Sequence, residues 1–334
     1  MSVTVLYPER MYQDDSVERS VYGEGVRVVM RDTESLAELD DADCAAADGL
    51  LLFRHWAGAP DLGRFPRLRA IVRMGVGYDR IDRQAAAARG ILVCNVPDYG
   101  TTEVADHAMA LALALRRGVI LHHDAQRADP PAGWTPIVDP LVRRLGGTGF
   151  GIVGLGRIGT AVARRAKAFG FRVTFYDPER PTGTELALDL ARAPTLEALL
   201  PQAATLSLHM PLTRQTRGMI GARELALLPA GAVVVNTARG PVLDLDALAA
   251  ALRSGQVAGA GLDVLPEEPP EPPPALLRCY RARETWLAGR LIVTPHSAFH
   301  TPEAYHDIRV KSAETMRAAL LSDRPQNVIT PDMD

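Results

Sequence analysis

The sequence predicts an α/β protein with two lobes, each built on a parallel β-sheet that helices cover. Short runs of β-branched and aliphatic residues alternate with alanine-rich stretches along nearly the whole chain. This alternation is typical of parallel strands that are connected by helices. The chain has 334 residues, which is more than one hydrophobic core usually serves, so two domains are expected.

The composition excludes several classes of protein. Hydrophobic residues make up 47% of the chain and charged residues 23%, as in ordinary globular proteins, and the formal net charge is −3. Because no broad basic field is present, we expect no nucleic-acid partner. The three cysteines, Cys44, Cys94 and Cys279, are odd in number and widely spaced. That pattern favours reduced thiols in a cytoplasm over a disulfide framework or a metal cluster, so no metal is expected.

Five apolar runs predict the strands of the first lobe. They are Val3–Tyr7, Val26–Met30, Leu50–Phe53, Ala70–Met74 and Ile91–Asn95. The first run is read as a strand rather than a signal peptide, because no basic residue precedes it and no cleavage site follows it. Amphipathic stretches between the runs predict helices, such as the one that ends at Gly90.

The second lobe is predicted to begin with a long helix over Thr102–Arg117. Its most apolar part is interrupted by Asp106 and His107 and is too short to cross a bilayer, so no membrane partner is expected. A stretch from Asp129 to Gly149, broken by proline and glycine, resembles a surface connection. Six further strands are predicted at Phe150–Val153, Val173–Tyr176, Thr205–Leu208, Ala232–Asn236, Gly259–Leu262 and Leu291–Thr294.

The final predicted helix, Pro302–Leu321, is expected to pack back on the first lobe. The first domain is then discontinuous, and the second is inserted into it. We place the first domain at residues 1–99 plus 299–334 and the second at residues 100–298.

Six of the nine residues from Pro266 to Pro274 are proline. The run fits either a polyproline recognition motif or a stiff surface loop. The loop is favoured, because short proline-rich loops are common and no partner is apparent from the sequence.

A glycine-rich turn predicts a dinucleotide site. It follows a predicted strand and opens a predicted helix, as the dinucleotide fingerprint requires. The first glycine permits the tight turn, the second lets backbone amides approach a pyrophosphate, and the third lets helix and strand pack closely. The residues assigned to this turn are Gly154, Gly156, Arg157, Ile158 and Gly159.

The next predicted strand ends in Asp177, eighteen residues after Gly159. A carboxylate there accepts hydrogen bonds from both hydroxyls of an adenosine ribose, whereas a 2′-phosphate meets a negative charge. The sequence therefore favours NAD (NADH) over NADP.

Three polar residues follow three predicted strands of the second lobe: Arg239, Glu268 and His296. Ligands bind at the carboxyl ends of strands in open α/β sheets. Arginine offers a planar fork that matches a carboxylate, and histidine exchanges a proton near neutral pH. A glutamate beside the histidine favours imidazolium and orients the ring. Together, the three residues suit hydride transfer to a 2-oxo acid. Taken alone, each of them would be explained by an ordinary structural role.

These residues lie among several motifs that resemble the D-isomer-specific 2-hydroxyacid dehydrogenases over nearly the full chain. Their order along the sequence is that of the family. The motifs are Met74–Asp82, Cys94–Pro97, Gly151–Gly159, His209–Thr213, Asn236–Gly240, Leu262–Val264, Glu268-Pro269 and Thr294–His296.

The resemblance implies two Rossmann-like lobes with doubly wound parallel sheets, in which the cofactor domain is inserted into a discontinuous, flavodoxin-like substrate domain. It implies an oxidoreductase that transfers a hydride between NADH and a small 2-oxo acid to give a D-2-hydroxy acid. Arg239 is then expected to bind and polarise the substrate, and His296, paired with Glu268, to act as general acid and base. The helix after Thr102 corresponds to the family's interdomain and dimer helix, so a homodimer is expected.

The resemblance also implies roles for residues outside the trio. These are the backbone amides of Val76 and Gly77 for the substrate carboxylate, Asp263 for the nicotinamide carboxamide, Thr237 and Ala238 for the nicotinamide site, and His209 and Pro211 for the path from adenosine to nicotinamide. For His209, a strand-end histidine that satisfies backbone groups is an equally good interpretation.

The stretch Thr294–Thr301 is most similar to the C-terminal-binding-protein co-repressors, which place a tryptophan where this chain has Phe299. Phe299 is expected either as a wall of the substrate pocket or as a packing residue. Arg54 is either a second ligand of the substrate carboxylate or a solvated surface charge, with the latter favoured. The similarity leaves a second function open, that of an NADH-sensing interaction protein with little turnover.

Overall fold

Two parallel sheets organise the chain. The structure is a computed structural model that describes residues 3–322 and 324–333. The strands in those ranges are β1 (Val3–Tyr7), β2 (Val26–Met30), β3 (Gly49–Leu52), β4 (Ala70–Arg73), β5 (Leu92–Cys94), β6 (Gly149–Val153), β7 (Arg172–Tyr176), β8 (Ala191–Arg192), β9 (Thr205–Leu208), β10 (Ala232–Asn236), β11 (Val257–Leu262) and β12 (Leu291–Val293). The α-helices are α1 (Ser16–Tyr22), α2 (Asp41–Ala46), α3 (Ala59–Gly63), α4 (Arg83–Ala88), α5 (Thr101–Arg116), α6 (Val119–Arg127), α7 (Arg157–Ala168), α8 (Thr184–Leu188), α9 (Leu196–Leu199), α10 (Ala222–Leu227), α11 (Leu245–Ser254), α12 (Ala275–Arg281) and α13 (Pro302–Leu321).

The chain divides into two compact units. Unit 1 comprises Met1–Gly100 and His300–Asp334, and unit 2 comprises Thr101–Phe299. Unit 1 holds a five-stranded sheet in the order β2-β1-β3-β4-β5, and unit 2 a seven-stranded sheet in the order β12-β11-β10-β9-β6-β7-β8. In both sheets, the pairs formed by the described strands are parallel. Both orders are doubly wound, flavodoxin-like in unit 1 and Rossmann-like in unit 2, so the predicted fold class is confirmed.

The last helix, α13, packs on the sheet of unit 1, as the sequence predicts. A side chain at Gly49 of β3 would lie 2.6 Å from the Met316 sulfur, so the glycine lets the helix approach the strand closely. The Arg309 guanidinium joins α13 to α1 through the buried Glu18, with nitrogen–oxygen distances of 2.9 and 2.7 Å. Helix α13 therefore packs within the same unit as α1 and β3.

The outer edge of β5 is covered by a short segment near the end of the chain. Ile329 donates its N–H to Val93 at 2.8 Å, and Asn95 donates its N–H to Asn327 at 3.1 Å. Val328 and Cys94 form an antiparallel bridge. The segment satisfies backbone groups that an open edge strand would expose.

In unit 2, helix α5 lies against β11. Side chains at Gly259 and Gly261 would come within 3.1 Å of Leu115 and 2.9 Å of Leu111, so both glycines leave room for the helix. The strand order reverses where β6 lies between β7 and β9. Ligands bind outside the carboxyl ends of the strands at such a switch point.

Candidate active site

The glycine-rich turn connects β6 to α7 at the switch point. Gly154 has a φ of +89°, and a side chain there would lie 2.7 Å from the Met210 nitrogen. A side chain at Gly159 would overlap the Gly154 carbonyl oxygen. At Gly156, in contrast, a side chain would meet no protein atom within 4 Å. At Gly154 and Gly159 the turn therefore leaves no room for a side chain. At Gly156, where the N-terminus of α7 offers N–H groups, there is space for an anion.

Two buried polar atoms at the carboxyl ends of the neighbouring strands β9 and β10 have no hydrogen-bond partner among the residues that the structure describes. They are Nδ1 of His209, which follows β9, and Oγ1 of Thr237, which follows β10. Buried polar atoms are usually satisfied, so these two atoms fit a polar ligand such as a dinucleotide. His209 Nε2 lies 2.8 Å from the Ser207 hydroxyl, which leaves Nδ1 to such a ligand.

Burial lowers the pKa of His209 to about 3. Below about pH 6.5 the unfolded chain binds a proton at this residue, whereas the folded protein does not. The free energy of unfolding therefore decreases as the pH falls from 6.5 towards 3. Between pH 7 and pH 5 we expect this residue to cost the wild type roughly 1 to 2 kcal/mol of unfolding free energy. The measurement is urea denaturation of the wild type and of His209→Asn at both pH values. The predicted cost is the difference between the losses of unfolding free energy in the two proteins. Equal losses in the two proteins would contradict the prediction.

Asp177 follows β7 beside the turn. Its carboxylate accepts the N–H groups of Leu155 at 2.7 Å and Glu179 at 2.9 Å. Nε of Arg180 lies 3.6 Å from the same carboxylate. The carboxylate is held in place, and its remaining lone pairs are available to hydroxyl groups.

Other residues assigned to the cofactor lie around the same edge of the sheet. Arg157 and Ile158 are the first two residues of α7. Ala238 follows β10 and is partly buried, and Pro211 follows β9 and is exposed. The structure thus brings the predicted cofactor residues of unit 2 to the carboxyl ends of β6, β7, β9, β10 and, in the case of Asp263, β11.

Arg239, Glu268 and His296 follow the neighbouring strands β10, β11 and β12. The loops after β10 and β11 touch through their backbones, because a side chain at Gly240 would overlap the Leu265 carbonyl. The proline-rich run Pro266–Pro274, which holds Glu268, is the loop from β11 to α12.

Glu268 and His296 form a short hydrogen bond, with Oε2 of Glu268 2.6 Å from Nδ1 of His296. The other Glu268 oxygen accepts the Leu265 N–H at 2.9 Å. Burial raises the pKa of the Glu268 carboxyl, but the His296 hydrogen bond and charge, the Leu265 N–H and the Arg239 charge outweigh burial and hold that pKa below its usual value. Because an ionised carboxylate only accepts, Nδ1 carries the shared hydrogen, and Nε2 is the nitrogen left to exchange a proton.

The backbone at His296 is left-handed, with φ of +51°. The buried Asp263 holds this turn, because its carboxylate accepts from the Thr294 hydroxyl at 2.5 Å and from the N–H groups of Ser297 at 2.9 Å and Ala298 at 3.0 Å. Asp263, predicted to bind the nicotinamide carboxamide, therefore also positions the loop that carries His296.

Two positioning residues were not assigned from the sequence. Asn236 accepts the Ala238 N–H at 3.0 Å and donates to the Arg239 carbonyl at 2.9 Å, which shapes the turn after β10. His107 of α5 lies 3.0 Å from the Thr294 hydroxyl. Nothing in their spacing distinguishes them from ordinary polar residues.

Phe299 is buried, and its ring meets the His296 ring edge to face at a centroid distance of 6.4 Å. The contact restricts the imidazole from one side.

Three of the residues predicted to bind substrate belong to unit 1: Arg54, Val76 and Gly77. The Arg54 side chain is exposed, with its guanidinium 5.4 Å from the centre of the Phe53 ring. The sequence did not single out Glu9, whose carboxylate accepts the N–H groups of Phe53 and Arg54 at 2.6 Å and so fixes the segment after β3. Val76 and Gly77 follow β4 and are partly exposed.

Within the described ranges, no group of three or more His, Cys, Asp or Glu side chains is placed to hold a metal ion. A separate search of the same residues finds no helix with the length and apolar character that a membrane crossing requires.

Comparisons with known proteins agree on one family. Residues 109–298 match the family described as D-isomer specific 2-hydroxyacid dehydrogenase, NAD binding domain. A glyoxylate reductase of Thermococcus litoralis is 37% identical over 272 residues, which cover 80% of this chain and 78% of the relative.

Two solved structures are similar over nearly the full length. The D-lactate dehydrogenase of Aquifex aeolicus, solved with NAD and lactic acid, has a TM-score of 0.80 and 27% identity, and 94% of each chain is covered. An NADPH-dependent glyoxylate/hydroxypyruvate reductase of Sinorhizobium meliloti, solved with NADP and malonate, has a TM-score of 0.81 and 28% identity, covering 99% of this chain and 98% of that one. Together with the family match, these similarities show that the chain is a D-2-hydroxyacid dehydrogenase and belongs to the D-isomer-specific 2-hydroxyacid dehydrogenase family.

Proposed function

We propose that the enzyme reduces a small 2-oxo acid, such as glyoxylate, to the D-2-hydroxy acid with NADH. The observation that carries the proposal is the 2.6 Å pair of Glu268 and His296, placed with Arg239 on three neighbouring strands beside the glycine-rich turn. This set supplies a cation for a carboxylate and a proton donor for an oxygen, which is what the reduction of a 2-oxo acid requires.

A nicotinamide dinucleotide bound here would supply the hydride. The open N-terminus of α7 would hold its pyrophosphate, and Asp177 its adenosine ribose. The unsatisfied atoms of His209 and Thr237 are available to its remaining polar groups.

The protein's own residues then act on the substrate. The Arg239 fork binds the carboxylate and draws electron density from the adjacent carbonyl. Nε2 of His296 donates its proton to the carbonyl oxygen as the alcohol forms. Glu268 stabilises the protonated form of the His296 ring before this transfer. In the oxidation direction the same nitrogen takes the proton back.

NADH is proposed as the preferred cofactor because the Asp177 carboxylate opposes a 2′-phosphate. Arg180, 3.6 Å from that carboxylate, offsets part of its charge. The preference is measured as the ratio of kcat/KM for NADH to that for NADPH, and a ratio below one would contradict it.

A homodimer is proposed from the surface of unit 2. Helix α6 has no buried residue. Trp134 and Val138, in the connection that follows it, are 92% and 100% exposed. Large apolar side chains exposed together favour a covering partner, for which we propose a second copy of the chain. A monomeric mass by light scattering would contradict this.

The function is tested by following NADH oxidation with pyruvate, glyoxylate, hydroxypyruvate, phenylpyruvate and a branched-chain 2-oxo acid. We expect steady turnover with at least one of them. Tight NADH binding with negligible turnover on all of them would contradict the proposal and favour the NADH-sensing interaction protein instead.

A further inference from the structure

The connection from β7 to α8, residues 177–183, carries the carboxylate that is predicted to bind the adenosine ribose. Asp177 is its first residue, and the Leu155 N–H donates to one oxygen of its carboxylate at 2.7 Å. Nε of Arg180, in the middle of the connection, lies 3.6 Å from the same oxygen. The path of the connection therefore determines which charges face a ribose hydroxyl or a 2′-phosphate.

Arg192 of β8 holds this connection from the neighbouring strand. Its Nη2 donates to the Pro181 carbonyl at 2.7 Å. Its Nη1 donates to the Arg180 carbonyl at 3.1 Å and, more weakly, to the Asp177 carbonyl at 3.4 Å. Backbone carbonyls outside helices and strands need other donors, and one planar guanidinium serves several of them at once. Arg192 thus ties both ends of the stretch 177–181 to β8.

The Arg192 side chain is itself held in one orientation. Its Nε donates to Oε2 of Glu185 at 2.8 Å, and the other oxygen of that carboxylate accepts the Gly183 N–H at 3.1 Å. The guanidinium lies over the buried ring of Phe175, 4.9 Å from the ring centre. The ion pair and the ring together restrict the side chain, so its remaining N–H groups face the connection.

Strand β8 adds little to the sheet as a strand, because it consists of two residues at the edge. Its register places Arg192 directly beside Phe175 of β7, two residues before Asp177. The short strand therefore fixes the backbone of Arg192 at the distance from which its side chain reaches the carboxyl end of β7.

We propose that Arg192 is a positioning residue for the adenosine end of the dinucleotide, because it fixes the connection that carries Asp177, and that it thereby strengthens the preference for NADH over NADPH. The inference rests on the proposed function, in which Asp177 binds the adenosine ribose. Without Arg192, the connection must be ordered when the ribose binds, which weakens NADH binding. A freed connection also lets the carboxylate turn away from a 2′-phosphate, so NADPH binding is weakened less.

The test replaces Arg192 with alanine and with lysine and uses ADP-ribose, the adenosine half of the cofactor without its nicotinamide. For Arg192→Ala we expect the Kd from calorimetric titration to rise about tenfold, as for loss of one hydrogen bond to a charged group. Arg192→Lys should raise it less, because an ammonium keeps the charge but serves fewer carbonyls. The Kd for NADH should rise by the same factor as that for ADP-ribose, since both have the same adenosine end.

Steady-state kinetics with the best 2-oxo acid of the panel separate positioning from a merely structural role. For Arg192→Ala we expect the ratio of kcat/KM for NADH to that for NADPH to fall about fivefold. We expect kcat at saturating NADH and KM for the 2-oxo acid to stay unchanged. A variant that only destabilised the fold would lower the thermal midpoint and leave the cofactor ratio where it is in the wild type.

A matched control is Arg172→Ala. Arg172 is the exposed first residue of β7, and its Nε donates to the Gly147 carbonyl at 2.7 Å. The substitution removes a bond of the same kind at the opposite end of the strand from Asp177, so it should change neither the Kd for ADP-ribose nor the cofactor ratio. If Arg172→Ala weakened ADP-ribose binding as much as Arg192→Ala, or if Arg192→Ala left the Kd or the ratio unchanged, the inference would be overturned.

The ADP-ribose titration separates this inference from the proposed function. If the wild type reduced no 2-oxo acid, the proposed function would fail, but the titration would still decide the role of Arg192. Binding weakened by Arg192→Ala and retained by Arg172→Ala would support that role. Equal binding by the two variants, or no binding of ADP-ribose by the wild type, would contradict it.

Discussion

His296→Asn is expected to lower kcat roughly 10²- to 10⁴-fold, the contribution typical of a positioned general acid. Asparagine tolerates the left-handed backbone found at this position but carries no exchangeable ring proton. The folded structure is therefore retained while the proton transfer is lost. The measurement is steady-state NADH oxidation with the best 2-oxo acid of the panel.

The control for this variant is His306→Asn. It makes the same substitution at an exposed position of α13 in unit 1 and should leave kcat unchanged. Full activity of His296→Asn would show that the proton comes from elsewhere.

Arg239→Ala is expected to lower turnover on the order of 10²- to 10³-fold, by analogy with the loss of one preorganised donor. Arg239→Lys should retain only part of the turnover that Arg239→Ala loses. An ammonium is a point charge and lacks the planar guanidinium that binds a carboxylate through two hydrogen bonds. Both kcat and kcat/KM are measured, since polarisation of the carbonyl acts in the transition state.

Arg223→Ala serves as the matched control, because Arg223 is an exposed arginine of α10 that forms ion pairs with Glu197 and Glu224. It should leave both constants unchanged. An Arg239→Ala variant with raised KM and unchanged kcat would reduce Arg239 to a simple binding residue and contradict its role in polarisation.

The sequence predicts the sheets well because most of their strands are short runs rich in β-branched and aliphatic residues. Val3–Tyr7 and Ala232–Asn236 begin and end where the pattern predicts them. In contrast, β8 has only two residues, Ala191–Arg192, and no apolar run, so its pairing with β7 depends on tertiary contacts. Helix α6 was not predicted because it buries no residue and therefore has no apolar stripe.

The candidate site was predictable only in part. The rule that ligands lie at the carboxyl ends of strands singles out Arg239, Glu268 and His296, and the structure places the last two in direct contact. Their roles in catalysis stay predictions. Asn236 was included in a family motif but given no role of its own, because it acts through hydrogen bonds to backbone atoms that no sequence spacing reveals.

The conformation of His296 limits what this position can become. A side chain with positive φ costs on the order of 1 kcal/mol or more, and glycine alone escapes that cost entirely. Substitution by glycine would remove this strain from the folded state. Glycine, however, has no side chain that could donate a proton. If His296 is the proton donor that we propose, its role in the reaction comes at a cost to the stability of the fold.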